Sequence, residues 1–463
     1  MKGRMGQASI LSSETERFWQ PPRRVSVLGH EVSERLFGRF VGSALIAMVL
    51  AMLAAPRSAP FLLGLILILA IAVMLRDRRS ILTVVPVNLP VVFLAGFCGL
   101  AMLSAMWAQV PVRAFELALM FTANVLAGSV LVGWVAGETG ERLARLGLGL
   151  LMGLALGLAF LVFEMATGQL FKRLLFNAFD PFRPDTDKHF GVRAGEIVWI
   201  AVYYLNRGIA VMVLLIWPIT LIASLWPVKS RRRLMVYGFL ISATALAAFS
   251  AHETSKLALL LSFAGFALAQ LSARWAWRLL YAAWVIVLVG AIPLALLAYR
   301  SGLHEAKWLQ DSGRARIILW AVTAERTLDN PILGVGVDTT RDIDAELAKT
   351  AVKEEGAPYA LRTGRHAHNV YLQTWFELGL VGAALMLAAG LALFRRLYDV
   401  PDRARPFVFA TLISGTVMAG LSWGLWQPWL AAAYSLTALA LAVAIRYAAT
   451  GIAAFWLPPD AKS

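Results

Sequence analysis

Arg365-His366-Ala367-His368-Asn369-Val370-Tyr371 opens an apolar run that continues to Leu393. A membrane-spanning helix needs about 20 mostly apolar residues, and the run from Tyr371 meets that length. The stretch reads as the mouth of a membrane helix, with a titratable imidazole and several arginines held at the water–lipid boundary. Apolar runs of this kind recur near 40–56, 60–75, 87–107, 112–136, 145–167, 207–227, 234–250, 255–272, 279–299, 371–394, 406–425 and 428–447. The expected fold is therefore all-α: a polytopic membrane protein with about twelve transmembrane helices. Pro56-Arg57 and Trp426-Gln427-Pro428 are short enough to make antiparallel hairpins of the runs they join.

Composition agrees with this. Of 463 residues, 59% are hydrophobic and 15% charged, where soluble domains carry about 25% charged residues. The one cysteine, Cys98, lies inside an apolar run, so neither a disulfide framework nor a thiolate metal site is available. A formal charge of +15 would suit nucleic acid. There is no basic soluble domain or recognisable module to bind it, and no nucleic-acid partner is expected. In a membrane chain, basic excess reports the loop charges that set orientation.

One set of short loops is basic: Arg76/Arg78/Arg79, Arg142/Arg145, Lys229/Arg231/Arg232/Arg233, Arg274/Arg278 and Arg395/Arg396/Arg403/Arg405. The alternating set carries one basic residue or none. Cationic short loops stay in the cytoplasm, which predicts cytoplasmic tails at 1–38 and 448–463. The amino-terminal tail lacks the apolar core and small-residue cleavage site of a signal peptide. The remaining order is helices 1–9 over 39–299 with an external loop at 168–206, a large external loop at 300–370, and helices 10–12 over 371–447. Long loops escape the charge rule, so Lys172, Arg173, Arg183, Arg193, Arg314, Arg316, Arg341, Arg362 and Arg365 do not contradict it. The second loop is expected to be partly helical, with a mixed-charge helix over Asp338–Glu355, and Phe171–Phe179 reads as an interfacial segment.

Ionisable groups within a membrane are expensive and usually functional. The notable ones cluster at the outer ends: Arg207, His252 to Lys256, Arg316, and Arg365 to His368. Guanidinium groups suit phosphate oxygens, and cations aimed at a departing diphosphate would stabilise its developing charge. The bland alternative is that each arginine snorkels to lipid headgroups. His368 titrates near neutrality; neighbouring arginines and the positive end of a helix starting at Asn369 should keep it neutral and able to accept a proton. Its bland alternative is a capping or interfacial histidine. His366 and His368 lack the spacing of a helical zinc pair, and no further ligand is near in sequence, so no metal or cofactor is expected. A transporter would place carboxylates near the midplane at broken helices; Glu116, Glu164 and Glu377 all lie toward helix ends. Gly334-Val335-Gly336 reads as a turn permitting close backbone approach. Trp423, Trp426 and Trp429 read as an interfacial belt.

His368-Asn369, followed after nine residues by Gly379-Leu380-Val381-Gly382, resembles the histidine signature of the O-antigen ligase and polymerase superfamily of bacterial envelope enzymes. Arg316-Ile317-Ile318-Leu319-Trp320, Asp329-Asn330-Pro331-Ile332-Leu333-Gly334-Val335-Gly336 and Asn206-Arg207-Gly208 are similar to further family segments. The resemblance implies a metal-independent, inverting glycosyltransferase of the bacterial inner membrane, acting on the periplasmic face. The implied donor is a glycan on undecaprenyl diphosphate. The implied acceptor is lipid A-core in a ligase or a second lipid-linked glycan in a polymerase. Carried over, His368 matches the catalytic base and Arg207 and Arg316 the diphosphate clamp. Lys256 stands where the family often has arginine, which keeps the charge and loses the bidentate fork. Arg365 is a further clamp candidate, with His366, Asn369, Arg193 and Arg314 as supporting residues. A lipid or solute transporter is the alternative outside this class.

Overall fold

The computed structural model describes residues 31–451 except 81–83, 86, 139, 180–183, 185–188 and 354–356. Residues 1–30 of the tail expected at 1–38 and 452–463 of the tail expected at 448–463, together with Arg183 and Glu355, lie outside the described residues.

The chain forms α1 (Glu31–Ala54), α2 (Ala59–Arg76), α3 (Leu89–Leu103), α4 (Pro111–Ala136), α5 (Gly140–Ala166) and α6 (Leu170–Ala178). A hairpin follows, β1 (Phe190–Arg193) and β2 (Glu196–Ile200), then α7 (Asn206–Ser224), α8 (Lys229–Phe249), α9 (Glu253–Leu271), α10 (Ala273–Val289) and α11 (Ala291–Arg300). The last third holds α12 (Asp311–Thr327), α13 (Thr339–Leu347), α14 (Val370–Tyr398), α15 (Arg405–Leu421) and α16 (Pro428–Thr450). It is an all-α polytopic membrane fold with one short hairpin. Each apolar run read from the sequence lies on helix, the run 279–299 on two, α10 and α11. Among the described residues, nine helices are long and apolar enough to cross a membrane, ten if the bent pair α10–α11 is one span; Arg39–Ala54 and Arg405–Leu421 are shorter apolar helices. Proline stands in the first turn of α2, α3, α4, α15 and α16, where its missing N–H has no intrahelical role.

α7 and α16 form the centre, with 89% and 78% of their apolar windows buried inside the protein. They are apolar all round because every face meets another helix. α2, α3, α4 and α8 bury about a third or less of theirs, leaving the rest for lipid. Around the centre, α1 packs on α5, α4 on α16, α9 on α15 and α3 on α14.

Four segments depart from the sequence reading. The run 279–299 is not one straight helix but turns by 72° at Gly290, between α10 and α11. The mixed-charge helix of the second loop ends at Leu347. The loop 168–206 holds α6 and a two-stranded hairpin whose β1 Gly191/Val192 step is irregular. Most consequentially, the helix expected without interruption from Tyr371 is broken at Gly379 (φ 62°, ψ −160°).

That break is filled by the loop 331–336. Val335 and Gly336 donate their N–H groups to the carbonyls of Phe376 and Glu377 (3.0 and 2.9 Å), and Leu380 and Val381 donate to Pro331 and Ile332 (2.8 and 3.2 Å). Backbone groups freed inside a membrane must be satisfied by protein, and this loop satisfies them. The exchange needs main chains in direct contact. A Cβ on Gly334 (φ +67°) would strike the Glu377 backbone, and one on Gly379 would strike Ile332. The close approach expected of Gly334-Val335-Gly336 is thus made to a membrane helix.

Candidate functional site

The short segment between α15 and α16, Ser422 to Gln427, is where most of the outer-end groups meet. The Leu421 carbonyl accepts hydrogen bonds from Arg316 Nη1 and Thr254 Oγ1, both at 2.8 Å. The next carbonyl, Ser422, accepts one from His368 Nδ1 at 2.6 Å. Two protein segments distant in sequence, α12 and the mouth of α14, are therefore pinned to consecutive peptides.

A carbonyl oxygen only accepts, so the Ser422 contact requires a proton on His368 Nδ1. In the neutral ring Nε2 is then bare and carries a free lone pair. Burial pushes His368 below the ordinary histidine pKa, with the Arg316 charge adding to it against the opposing Ser422 bond. His366, whose ring lies 4.1 Å away, is pushed down to about 3 by burial first, then by His368 and by Arg341, Arg316 and Arg365. Both shifts favour the neutral ring. His368 also holds a left-handed backbone (φ 52°), a conformation costing a non-glycine residue about 1–2 kcal/mol. Its neighbours hold it there: Trp320 Nε1 donates to the Ala367 carbonyl at 2.7 Å, and Asn369 Oδ1 caps α14 by accepting from Tyr371 and Leu372 (3.0 and 3.1 Å).

Arg207 opens α7 with its guanidinium 5.8 Å from the Trp429 ring centre. Trp429 meets Trp423 edge-on (4.8 Å), and Trp423 stacks on His252 (4.8 Å, 23°). Arg207 and Arg316 have no carboxylate partner among the described residues, and Arg207 Nε is buried without a hydrogen bond. Burial presses the Arg316 pKa downward. Arg316 thus brings an unneutralised charge close to an imidazole that is unprotonated at Nε2.

His368, His366, Arg316 and Arg207 thus gather round one loop, with Asn369 in a capping role beneath them. Arg365 is exposed at the edge, its charge felt by His366. The other candidates sit elsewhere. The Lys256 ammonium is held by Glu253 at 2.7 Å. Arg314, on α12, turns to the His304 carbonyl (2.8 Å) and Asp311 (3.1 Å). Arg193 is exposed at the tip of the hairpin. Among the described residues no group of three His, Cys, Asp or Glu is placed to hold a metal ion.

Sequence reasoning missed the loop itself. Ser422 acts through its backbone carbonyl, for which side-chain identity is no guide, and Trp423 and Trp429 were read as an interfacial belt. It also misplaced Glu377, which is fully buried. This carboxylate accepts from Thr340 Oγ1, Trp426 Nε1, the Asp338 N–H (3.1 Å) and Gln373 Nε2 (3.1 Å). Gln373 Oε1 in turn accepts from the Leu425 N–H at 2.9 Å. The broken helix α14 thereby anchors both α13 and the loop that orients His368.

Residues 237–387 match the family model described as O-antigen ligase. That range contains His252, Arg316, the clamp at Gly334–Gly336, His368 and Gly379. That stretch is what the chain shares with O-antigen ligases. Over 239 residues it is 25% identical to a protein of Rickettsia conorii provisionally named polysaccharide ligase, covering 50% of this chain and 55% of that one. A Rickettsia felis protein of the same name is 25% identical over 234 residues, 49% of this chain and 55% of its own length. A third, from Rickettsia prowazekii, is 26% identical over 121 residues, 26% and 29% of the two chains. The chain spans about half the length of the first of these relatives. Arg207 and the Ser422 loop fall outside the matched O-antigen ligase range, and the fold brings them to it.

Proposed function

We propose that this protein is an inverting glycosyltransferase that moves a glycan from undecaprenyl diphosphate to an acceptor hydroxyl, with lipid A-core as the acceptor of an O-antigen ligase. What supports this is the bare Nε2 of His368 close to the charge of Arg316, with Arg207 joined to the same loop through Trp429 and Trp423. In the step, His368 Nε2 takes the acceptor hydroxyl proton as the oxygen attacks the anomeric carbon. The new carbon–oxygen bond forms as the bond to the diphosphate breaks, and the electron pair leaves with undecaprenyl diphosphate. Arg316 and Arg207 face the charge that grows on the leaving group. A single displacement inverts the anomeric centre, and no residue is covalently modified. His366, Arg365 and Asn369 support the base, and the step as written uses no metal.

The charge bias of the short loops supports placing this site on the periplasmic face of the inner membrane, with both tails cytoplasmic. Joining two lipid-linked repeats, the polymerase reaction, uses the same chemistry with a different acceptor. Glu377 beside a broken helix favours a transporter. All four of its donors are protein groups, however, and the break is closed by the 331–336 backbone.

The test is purified protein in liposomes, supplied with labelled undecaprenyl-diphosphate-linked glycan and lipid A-core. The expected result is glycosylated lipid A-core with an equal amount of undecaprenyl diphosphate released. Lipid movement without covalent transfer would favour the transporter, and product formed only between donor molecules would favour the polymerase.

A further inference from the structure

The tautomer of His368 depends on one peptide, the link between Ser422 and Trp423, whose oxygen takes the Nδ1 proton. What holds that peptide in place is therefore part of the site. Ser422 ends α15 with irregular torsions (φ −122°, ψ −89°), so helix geometry does not set the direction of its carbonyl.

His252 grips the residue on each side of that peptide. Its Nε2 is 3.1 Å from Ser422 Oγ, and its ring stacks on Trp423 at 4.8 Å. The other edge is anchored, with Nδ1 2.7 Å from Ser255 Oγ in the first turn of α9. Ser255 is fully buried and His252 is 6% exposed, so this imidazole is spent on protein contacts and does not face a substrate. Burial, aided by the Arg316 charge, presses it down to about 3, so both ring nitrogens stay available as a neutral donor and acceptor pair. A flat ring to stack and two polar edges to bond are a combination that histidine supplies.

We propose that His252 is a positioning residue for the transfer: by holding Ser422 and Trp423 it aims the carbonyl that keeps His368 protonated at Nδ1 and bare at Nε2. The proposal builds on the reading of His368 as the base. It separates from that reading because the tautomer is observed without turnover.

The chain has six histidines, few enough for ring-¹⁵N NMR of the full-length protein in lipid bilayers, with His368→Ala identifying the His368 signals. In the unsubstituted protein His368 should show a protonated Nδ1 and an unprotonated Nε2. In His252→Ala those signals should give way to a mixture of tautomers. Turnover should fall roughly ten- to hundredfold, the scale seen when a partner that orients an imidazole is lost, with the donor KM little changed. His252→Gln, which keeps an edge to bond Ser422, should recover part of the turnover, and His252→Phe, which keeps only the stack, should recover less. If His252→Ala accumulates poorly, Ser422→Ala removes the same hydrogen bond and should shift the same signals. An unchanged His368 tautomer in these variants overturns the positioning role, whatever happens to turnover. A lost tautomer with full turnover overturns it as well. Full activity of His368→Ala would instead remove the base and leave the coupling of the two rings to stand on the spectra.

Discussion

Two sets of arginines in this bundle are held in opposite ways. Where α2, α4 and α5 meet, Glu138 is buried between Arg79 (3.0 Å) and Arg142 (3.4 Å), and Arg142 also takes Asp77 at 2.5 Å. Arg446, fully buried at the foot of α16, donates to the Glu138 carbonyl at 3.0 Å. Arg79 and Arg142 are thus matched by acids, as buried charge in a structural role requires. In the other set Arg316 and Arg207 meet carbonyl oxygen and an indole face rather than carboxylate. Carbonyls and rings orient a guanidinium without neutralising it. The difference separates charge kept for folding from charge left free for a ligand.

Substitutions can break the comparison in either set. The largest effect is expected in the unmatched set: Arg316→Ala should lower the transfer rate about 10²–10³-fold, the scale of removing one preorganised donor to a developing anion. Arg316→Lys should recover only part, because the fork is lost, and Arg207→Ala should follow with a smaller loss. Steady-state kinetics on purified protein checks the order. A rate unchanged by Arg316→Ala would put this arginine with the structural ones.

Next in size is the pH dependence. A base whose pKa lies below the usual histidine value stays neutral to lower pH, so the acid limb of the rate should fall below the ordinary histidine range of about 6.5. The direction follows from burial and the Arg316 charge. Stability has its own sign. His366 and His252, pushed down to about 3, favour the folded state fully above the unfolded value near 6.5. Their contribution declines as pH falls below it. Thermal unfolding at pH 4.5 and 7 should show the loss, and His366→Gln should reduce it. Equal midpoints at both pH values would mean that neither ring is buried neutral.

The smallest effect on chemistry belongs to the matched set. Glu138→Gln should leave kcat within error while costing about 1 kcal/mol of stability, because Arg79 is partly exposed and Arg142 keeps Asp77. Differential scanning fluorimetry and the rate per folded molecule separate the two. A large fall in kcat would mean that the two sets are coupled.

Much of this division was legible in the sequence. The apolar runs marked the long apolar helices because lipid demands length and hydropathy. Arg207, Arg316 and His368 stood out because charge at a membrane boundary is rare enough to notice. Lys256 and Arg314 stood out for the same reason, yet Glu253 and Asp311, one turn away on the same helices, occupy them. Local pairing of that kind depends on rotamers, which residue type does not reveal. The break at Gly379 was hidden because a glycine in an apolar run reads as helix. Its cause is the distant loop 331–336, whose backbone replaces the lost hydrogen bonds. Ser422 was hidden more deeply, since its orienting contact to His368 is made by a main-chain oxygen.

The role of His368 is decided by single-turnover transfer in His368→Ala, measured against the unsubstituted protein at equal membrane abundance. A positioned base contributes about 10²–10⁴ in rate, so the variant should be slower by that factor while still binding the lipid-linked donor. Transfer at the full rate would contradict the account, since the bare imidazole nitrogen would then have no part in the reaction.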